Sequence, residues 1–342
     1  MALSTEAYTA NWGKNLLLLM EQLEQRPTTQ LTGCNKELIY AENKLRLFRY
    51  QALNIEQSKT PILITYALIN RPDIVDLEPK RSLVLRLLEQ GFPVYLIDWG
   101  YPDSSDCFTS LNDYINGLLH RCVQQTKRHT NSQQLDLLGI CQGGVFSLCY
   151  AALHPSQVRK LITIVSPIDF HNSPLGLSIK NTVGSLNRAN SNIAGKQISR
   201  LFNSLKPFQL NRDKYRQPAK LVAAKEKLDT FLHMEQWLND QPDLAGLAAN
   251  EFLRYFYQQN SLHNNKLQLA NKPVLLSKIQ CPVLNFYATR DHIVPATSAQ
   301  ALSQHIDASQ YSEVALAGGH IGAFTSHKAQ QTLIHKLNAW LQ

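Results

Sequence analysis

The most constraining feature of this 342-residue chain is a glycine-framed turn around one cysteine. An apolar run at 135–138 leads directly into residues 139–144, which read GICQGG. This matches the nucleophile-elbow pattern G-x-S-x-G with Cys141 in place of serine. On such a strand-to-helix turn the backbone is strained and exposes the side chain, and the flanking glycines remove Cβ atoms that would collide. The pattern therefore predicts a strand, a sharp turn and a helix.

The position of Cys141 on this turn favours a nucleophile. The amino terminus of the following helix stabilises a thiolate and offers backbone N–H groups to a developing oxyanion. A lone cysteine is more often an inert, small apolar side chain. Here the preceding strand, the flanking glycines and the sharp turn all match a nucleophile elbow, so we interpret Cys141 as catalytic.

The rest of the chain alternates between short apolar runs and amphipathic stretches, which is typical of buried parallel strands separated by helices. A polar, antiparallel edge strand is predicted over 38–50. The predicted parallel strands are 62–67, 94–97, 135–139, 158–165, 281–288 and 311–316, and the predicted helices between them include 82–90, 111–126 and 147–154.

This periodicity breaks between residues 171 and 272, where the sequence becomes helical and polar. Length alone would allow two consecutive domains. An insertion between strands of one sheet more often forms a cap over their carboxyl ends, where ligands of α/β proteins bind. We therefore expect an N-terminal helical segment (1–36), one catalytic core (37–170 and 273–342) and a helical cap (171–272).

The partners of a nucleophile follow it along the chain in the order that this fold class demands. Asp291 stands three residues after the strand ending at 288, and His320 lies in a Gly-Gly-His turn after the strand near 316. An α/β-hydrolase fold with a Cys141–His320–Asp291 triad is therefore predicted. The rival partners Asp136, Asp169 and His292 are less well placed.

The α/β-hydrolase fold also predicts where the oxyanion hole lies. Its donors are the backbone N–H of Gln142 and one N–H from the loop 68–70 after the first core strand, for which we choose Ile69. Asn70 in the same loop is a candidate for contact with substrate. A cysteine nucleophile with a histidine base suits thioester chemistry better than ester or peptide cleavage.

Hydropathy and cysteine spacing argue against a membrane-spanning, a secreted or a zinc-binding protein. The early apolar stretch at 16–20 is too short for a membrane span and lacks the pattern of a cleaved secretory signal. The six cysteines include no C-x-x-C pair and no zinc-type histidine spacing, so they are interpreted as reduced cytosolic thiols, with no metal site.

The formal net charge of +8 is concentrated in one segment. Residues 188–227 carry ten Lys or Arg side chains against two acidic ones, and the rest of the chain is neutral. Such a segment is either a solvated face or a surface for the phosphates of a phosphorylated substrate or for an acidic partner. Arg188, Lys206 and Lys214 are the candidate contacts for those phosphates. Nucleic-acid binding is the weaker alternative, because no recognition motif accompanies the charge.

Several stretches closely resemble the catalytic subunits of polyhydroxyalkanoate synthases, and the matches run from about residue 38 to the end of the chain. The stretches are 66–72 (YALINRP), 95–103 (YLIDWGYPD), 112–117 (NDYING), 137–144 (LLGICQGG), 204–208 (SLKPF) and 318–322 (GGHIG). The short length and the Ile-Cys-Gln elbow are similar to the class III, two-subunit type. The least similar parts are the extreme N-terminus and 172–196.

The resemblance implies that Cys141 attacks the thioester of (R)-3-hydroxyacyl-CoA, releasing CoA, and that His320 takes the thiol proton. It implies that Asp291 either orients His320 or helps to activate the 3-hydroxyl of the next unit. It also implies short-chain monomers, a second non-catalytic subunit, a homodimer, a cytoplasmic location at polyester granules, and no metal or redox cofactor.

Two other functions fit the same residues. A cysteine-dependent thioesterase or polyester depolymerase would share the triad and use water in place of the hydroxyacyl group. A granule-coating scaffold with a vestigial triad would have no activity that depends on Cys141.

Overall fold

The alternating apolar runs form one mixed sheet in the computed structural model, which describes residues 33–53, 59–173, 191–205 and 225–341, with the isolated positions 14, 17 and 21. The strands are β1 (Lys36–Glu42), β2 (Leu45–Tyr50), β3 (Ile62–Thr65), β4 (Val94–Asp98), β5 (Leu135–Ile140), β6 (Val158–Ile164), β7 (Gln268–Leu269), β8 (Lys272–Pro273), β9 (Val283–Ala288) and β10 (Tyr311–Leu316).

The helices lie between and after these strands. They are α1 (Leu83–Glu89), α2 (His120–Thr130), α3 (Gln142–Leu153), α4 (Gly195–Leu205), α5 (Lys225–Asn239), α6 (Gly246–Phe252), α7 (Ala296–Gln300), α8 (Gly322–Thr325) and α9 (His327–Leu341). Two π-helical segments, Asp113–Leu119 and Leu253–Gln258, adjoin α2 and α6. Short 3-10 turns occupy Pro72–Val75, Pro79–Arg81, Ser104–Asp106, Pro155–Gln157, Leu276–Lys278 and Ala301–Gln304.

In the described part of the chain, eight of these ten strands form the mixed sheet, in the order β1-β2-β4-β3-β5-β6-β9-β10. The short strands β7 and β8 form a separate antiparallel pair. From β4 to β10 all neighbours are parallel, whereas β1 and β2 are antiparallel at one edge. The predicted mostly parallel sheet is confirmed. The single edge strand predicted over 38–50 is instead a hairpin, because Asn43 adopts a left-handed φ of 50° at its turn.

The centre of the sheet is buried on both faces, as an α/β core requires. Along β5, Leu137 packs with α2 and α3 on one face, whereas Leu138 and Ile140 pack with α1 and α9 on the other. Each such side chain contributes about 1.5–3 kcal/mol by leaving water. The turn between β5 and α3 is therefore anchored in the best-packed part of the molecule.

The parallel strands bring the predicted site residues to one edge. The carboxyl ends of β3, β5, β9 and β10 share a direction, so the segments after them lie on the same side of the sheet. These segments carry the loop 68–71, Cys141, Asp291 and His320.

Residues 171–173, 191–205 and 225–272 are the described part of the predicted cap. The second half of this insertion packs on the core: the Phe252 ring lies 6.4 Å from that of Phe146 on α3, and the Phe256 ring lies 5.2 Å from that of Phe170. The cap boundaries of 171 and 272 stay a prediction.

The predicted N-terminal helical segment, 1–36, falls mostly outside the described residues. Positions 14, 17 and 21 are helical. Residues 33–35 have no regular secondary structure, and Lys36 pairs with Tyr50 and begins β1; the end of the segment at residue 36 stays a prediction. Among the described helices, none is long and apolar enough to cross a membrane.

Candidate active site

Cys141 lies on the sharp turn between β5 and α3. Its φ of 54° and ψ of −123° are unusual for a non-glycine residue, and such a conformation costs about 1–3 kcal/mol. Its N–H donates to the carbonyl oxygen of Ile164 at 2.9 Å, which keeps the turn attached to the sheet. The predicted strained elbow is confirmed, and the Cys141 side chain is half-buried.

The glycines around Cys141 are required by close approach of the backbone. A Cβ on Gly143 would lie 2.1 Å from the carbonyl oxygen of Thr65, and one on Gly144 would lie 1.8 Å from Ser166 Oγ. Neither distance is compatible with a real carbon atom. The helix predicted to begin at 147 therefore begins at Gln142, because these glycines serve close packing and do not interrupt the helix.

Asp291 and His320 meet across the loops that follow β9 and β10. Asp291 Oδ2 lies 2.6 Å from His320 Nδ1, and both side chains are buried. The other carboxylate oxygen, Oδ1, accepts from the amides of Ile293 at 2.8 Å and Val294 at 2.9 Å. Asp291 is thus held by three hydrogen bonds and in turn fixes the orientation of the imidazole.

His320 also faces Cys141. Burial alone would lower the pKa of His320, but the charges of Asp291 and of the Cys141 thiolate outweigh burial and raise this pKa to about 10. Because Nδ1 contacts Asp291, Nε2 is the ring nitrogen left for Cys141. The three side chains have the arrangement of a nucleophile, a base and an orienting carboxylate, which is suited to covalent acyl transfer.

The loop after β3 lies against this triad. The N–H of Leu68 donates to Gln142 Oε1 at 2.9 Å, and the N–H of Asn70 donates to Gln241 Oε1 at 2.9 Å. Within the described residues no hydrogen bond uses the N–H of Ile69. The N–H of Gln142 is the first of α3 and has no acceptor inside the helix. Neither of the two amides predicted as oxyanion donors therefore has an acceptor among the described residues.

The other predicted contacts divide into two groups. Asn70 has a left-handed φ of 59°, and its Nδ2 approaches the carbonyl oxygen of Trp237 on α5 at 3.5 Å. Arg188, Lys206 and Lys214 lie outside the described residues. Of the rival acids, Asp136 pairs with Arg159 Nε at 2.8 Å, and Asp169 accepts from Asn260 Nδ2 at 2.8 Å.

Sequence reasoning missed several residues around Cys141. Trp237 Nε1 donates to the carbonyl oxygen of Arg71 at 2.7 Å, so α5 holds the loop after β3 together with Gln241. Tyr66 and Tyr257 lie near Cys141: burial raises the pKa of both phenols, and the thiolate charge adds to the effect. Tyr66 lies in the stretch 66–72 that resembles the polyhydroxyalkanoate synthases. Trp237, Gln241 and Tyr257 belong to no motif and offered no signal.

In the ranges that the structure describes, no group of three or more His, Cys, Asp or Glu side chains could hold a metal ion. The expectation that the protein uses no metal or redox cofactor stays a prediction.

Comparison with known proteins gives three findings. A family model described as the alpha/beta hydrolase fold matches residues 40–326. The chain is 40% identical to poly(3-hydroxyalkanoate) polymerase subunit PhaC of Thiocystis violacea over 98% of this chain and 94% of that protein. It is 42% identical to the protein of the same name from Allochromatium vinosum, over 90% and 88% of the two chains.

Among solved structures, a thermophilic esterase from Thermogutta terrifontis is similar, with a TM-score of 0.55 and 14% identity over 90% of this chain and 98% of that one. At that identity the likeness shows the fold alone.

Proposed function

Because the chain belongs to the poly(3-hydroxyalkanoate) polymerase family of α/β-hydrolase-fold proteins, we propose that it is the catalytic subunit of a polyhydroxyalkanoate synthase. It polymerises (R)-3-hydroxyacyl-CoA, with 3-hydroxybutyryl-CoA as the favoured monomer, and releases CoA. The observation that carries the proposal is the buried His320–Asp291 pair facing a cysteine on a strained elbow.

The first step is acylation of Cys141. The thiolate attacks the thioester carbonyl carbon, and the N–H groups of Gln142 and Ile69 stabilise the resulting oxyanion. Collapse of this intermediate breaks the bond between carbon and the sulfur of CoA. The His320 imidazolium gives its proton to that sulfur, so CoA leaves as a thiol and the acyl group stays on Cys141 as a new thioester.

The second step extends the chain. The 3-hydroxyl of an incoming hydroxyacyl-CoA attacks the acyl–Cys141 thioester, and neutral His320 accepts the hydroxyl proton. An ester bond forms, the bond to Cys141 breaks, and the thiolate–imidazolium pair is restored. Attack of that thiolate on the lengthened acyl-CoA returns the chain to Cys141 and releases CoA.

We assign Asp291 the role of orienting His320. Its Oδ2 is committed to His320 Nδ1 and its Oδ1 to two backbone amides. A carboxylate with three such partners keeps the ring in one orientation and stabilises the imidazolium. The alternative role, activation of the substrate hydroxyl, would require that hydroxyl to reach a carboxylate whose side chain is fully buried.

The second candidate function is a cysteine-dependent thioesterase or polyester depolymerase, since the same triad would serve attack by water. Incubation with (R)-3-hydroxybutyryl-CoA separates the two. The synthase produces insoluble polyester and one CoA per monomer, whereas a hydrolase produces free 3-hydroxybutyrate. Cys141→Ala must abolish either product; a scaffold protein with a vestigial triad would show no such dependence.

We further propose that the chain acts as a homodimer with a second, non-catalytic subunit at the surface of cytoplasmic polyester granules. The name of its relatives, which designates a polymerase subunit, supports the presence of a second subunit. The test is light scattering of the purified chain with and without a candidate second subunit, combined with CoA release. A monomer whose activity is unaffected by any such subunit would overturn this assembly.

A further inference from the structure

Gln142 contributes a side chain as well as a backbone amide to the site. Its Oε1 accepts from the N–H of Leu68 at 2.9 Å, and Gln142 is only 5% exposed. This bond joins the first residue of α3 to a loop 74 residues earlier. The mechanism above uses the backbone N–H of Gln142 and gives no role to its carboxamide.

The loop after β3 needs such an acceptor. The ladder between β3 and β5 ends at Thr65, so the amides that follow have no strand partner. A buried N–H without an acceptor is destabilising, because it loses its hydrogen bond to water and gains no other. Leu68 is 8% exposed, and the carboxamide of Gln142 supplies the acceptor that the sheet does not.

The bond also controls where the next amide points. The N–H of Ile69 lies between the N–H of Leu68, held by Gln142, and the N–H of Asn70, held by Gln241. Hydrogen bonds on both neighbours fix the peptide plane between them. Since Gln142 follows Cys141 directly, its side chain ties that plane to the nucleophile itself.

We propose that Gln142 is a positioning residue, whose side-chain oxygen holds the loop after β3 so that the N–H of Ile69 faces the oxyanion formed at Cys141. This inference rests on the proposed function, because it assumes acyl transfer through a tetrahedral intermediate. Removing one oxyanion donor costs about 100- to 1,000-fold in kcat. Misplacing it should cost less, about 10- to 100-fold.

The test compares Gln142→Met, which keeps the length of the side chain but has no oxygen, with Gln142→Glu, which keeps an oxygen at that position. Two rates are measured at Cys141: the burst of thiol released on acylation by an acyl thioester, and alkylation by iodoacetamide. Alkylation forms no oxyanion, so a role limited to the fold or to the thiolate would affect both rates together.

For Gln142→Met we expect acylation to slow by about 10- to 100-fold, mainly in kcat, while alkylation stays within about twofold of wild type. Gln142→Glu should recover most of the acylation rate. The proposal is overturned if Gln142→Met leaves acylation unchanged, if it slows alkylation equally, or if Gln142→Glu is as slow as Gln142→Met. Should Gln142→Met fail to fold, Gln142→Asn, one methylene too short to reach Leu68, takes its place under the same criteria.

Gln157→Met is the matched control. Gln157 Oε1 accepts from Gln124 Nε2 at 2.9 Å and from Lys127 Nζ at 2.7 Å, just beyond the end of α3 opposite Cys141. Losing that acceptor should alter neither rate. A synthase and a hydrolase would both show the acylation burst, because both acylate Cys141. If the wild-type protein makes free acid, the proposed function is refuted, but the comparison of the Gln142 variants still tests the role of Gln142.

Discussion

At the scale of single residues, the proposed chemistry depends on the thiol of Cys141 and on the imidazole of His320, which faces both Asp291 and Cys141. Cys141 lies on the turn between β5 and α3 with a φ of 54°, and its side chain is half-buried. His320 is buried against Asp291 and Cys141 and holds a proton more firmly than a free imidazole. Each of these properties can be changed by one substitution.

Cys141→Ser should lower kcat by on the order of 100-fold or more, because a hydroxyl is far less ionised than a thiol near neutral pH. The measurement is steady-state CoA release. Cys34→Ser, at a half-buried cysteine outside the site, is the control and should retain activity. Near-normal turnover by the Cys141→Ser variant would contradict a thiolate mechanism.

Asp291→Asn should lower the pKa of His320, since the Asp291 charge is the largest of the contributions that raise it to about 10. Stabilisation by the imidazolium is complete below the unfolded value of about 6.5 and is lost as the pH rises through about 10. The stability deficit of the variant should therefore be largest near and below pH 6.5 and shrink steadily as the pH rises towards 10. Histidine NMR titration and urea unfolding at several pH values measure both effects; an unchanged His320 pKa would refute the pairing.

At the scale of elements, the loop after β3 is held between the elbow and the insertion. Trp237 on α5 donates to the carbonyl oxygen of Arg71, and Gln241 accepts from Asn70. On the core side, the Arg71 guanidinium pairs with Asp98 at the end of β4. The insertion therefore takes part in shaping the loop that we propose supplies an oxyanion donor.

Trp237→Phe removes the indole N–H and keeps an aromatic ring. We expect a loss of about 1–3 kcal/mol in the free energy of unfolding, because the carbonyl of Arg71 loses its buried donor, together with a lower kcat. Urea unfolding and CoA release measure the two effects. Trp340→Phe on α9 is the control for loss of an indole and should leave kcat unchanged. An equal fall in kcat in both variants would contradict a specific role of Trp237.

Gly143→Ala should destabilise the protein by at least about 1–3 kcal/mol, since its Cβ would lie 2.1 Å from the backbone oxygen of Thr65. Gly322→Ala is the matched control, because a Cβ there meets nothing within 4 Å and the expected change is within about 0.5 kcal/mol. Equal stability of the two variants in thermal unfolding would contradict the close approach at the elbow.

Local periodicity predicted the parallel strands, and a short motif predicted the elbow. The positions of Asp291 and His320 after later strands could be predicted for the same reason. The contacts made by Gln142, Trp237 and Gln241 could not, because they join segments far apart in the chain through single polar atoms. The hairpin at Asn43 was missed for a different reason: alternation is the same in one long strand and in two short ones.

At the scale of the whole molecule, the net charge of +8 coincides with the segment 188–227. We propose that this segment attracts the phosphates of CoA. Raising the salt concentration should then raise KM for acyl-CoA and leave KM for a phosphate-free acyl thioester unchanged, because screening weakens only the first interaction. Equal responses of both substrates would refute CoA binding by this charge.

The central claim is that the polyester grows by acyl transfer through Cys141. The most direct test is rapid-quench mass spectrometry of the peptide that contains Cys141, after mixing the protein with (R)-3-hydroxybutyryl-CoA. The account predicts a series of adducts on Cys141, each one 3-hydroxybutyryl unit heavier than the last. A single unit that is released as free acid, or acylation of any other residue in its place, would contradict it.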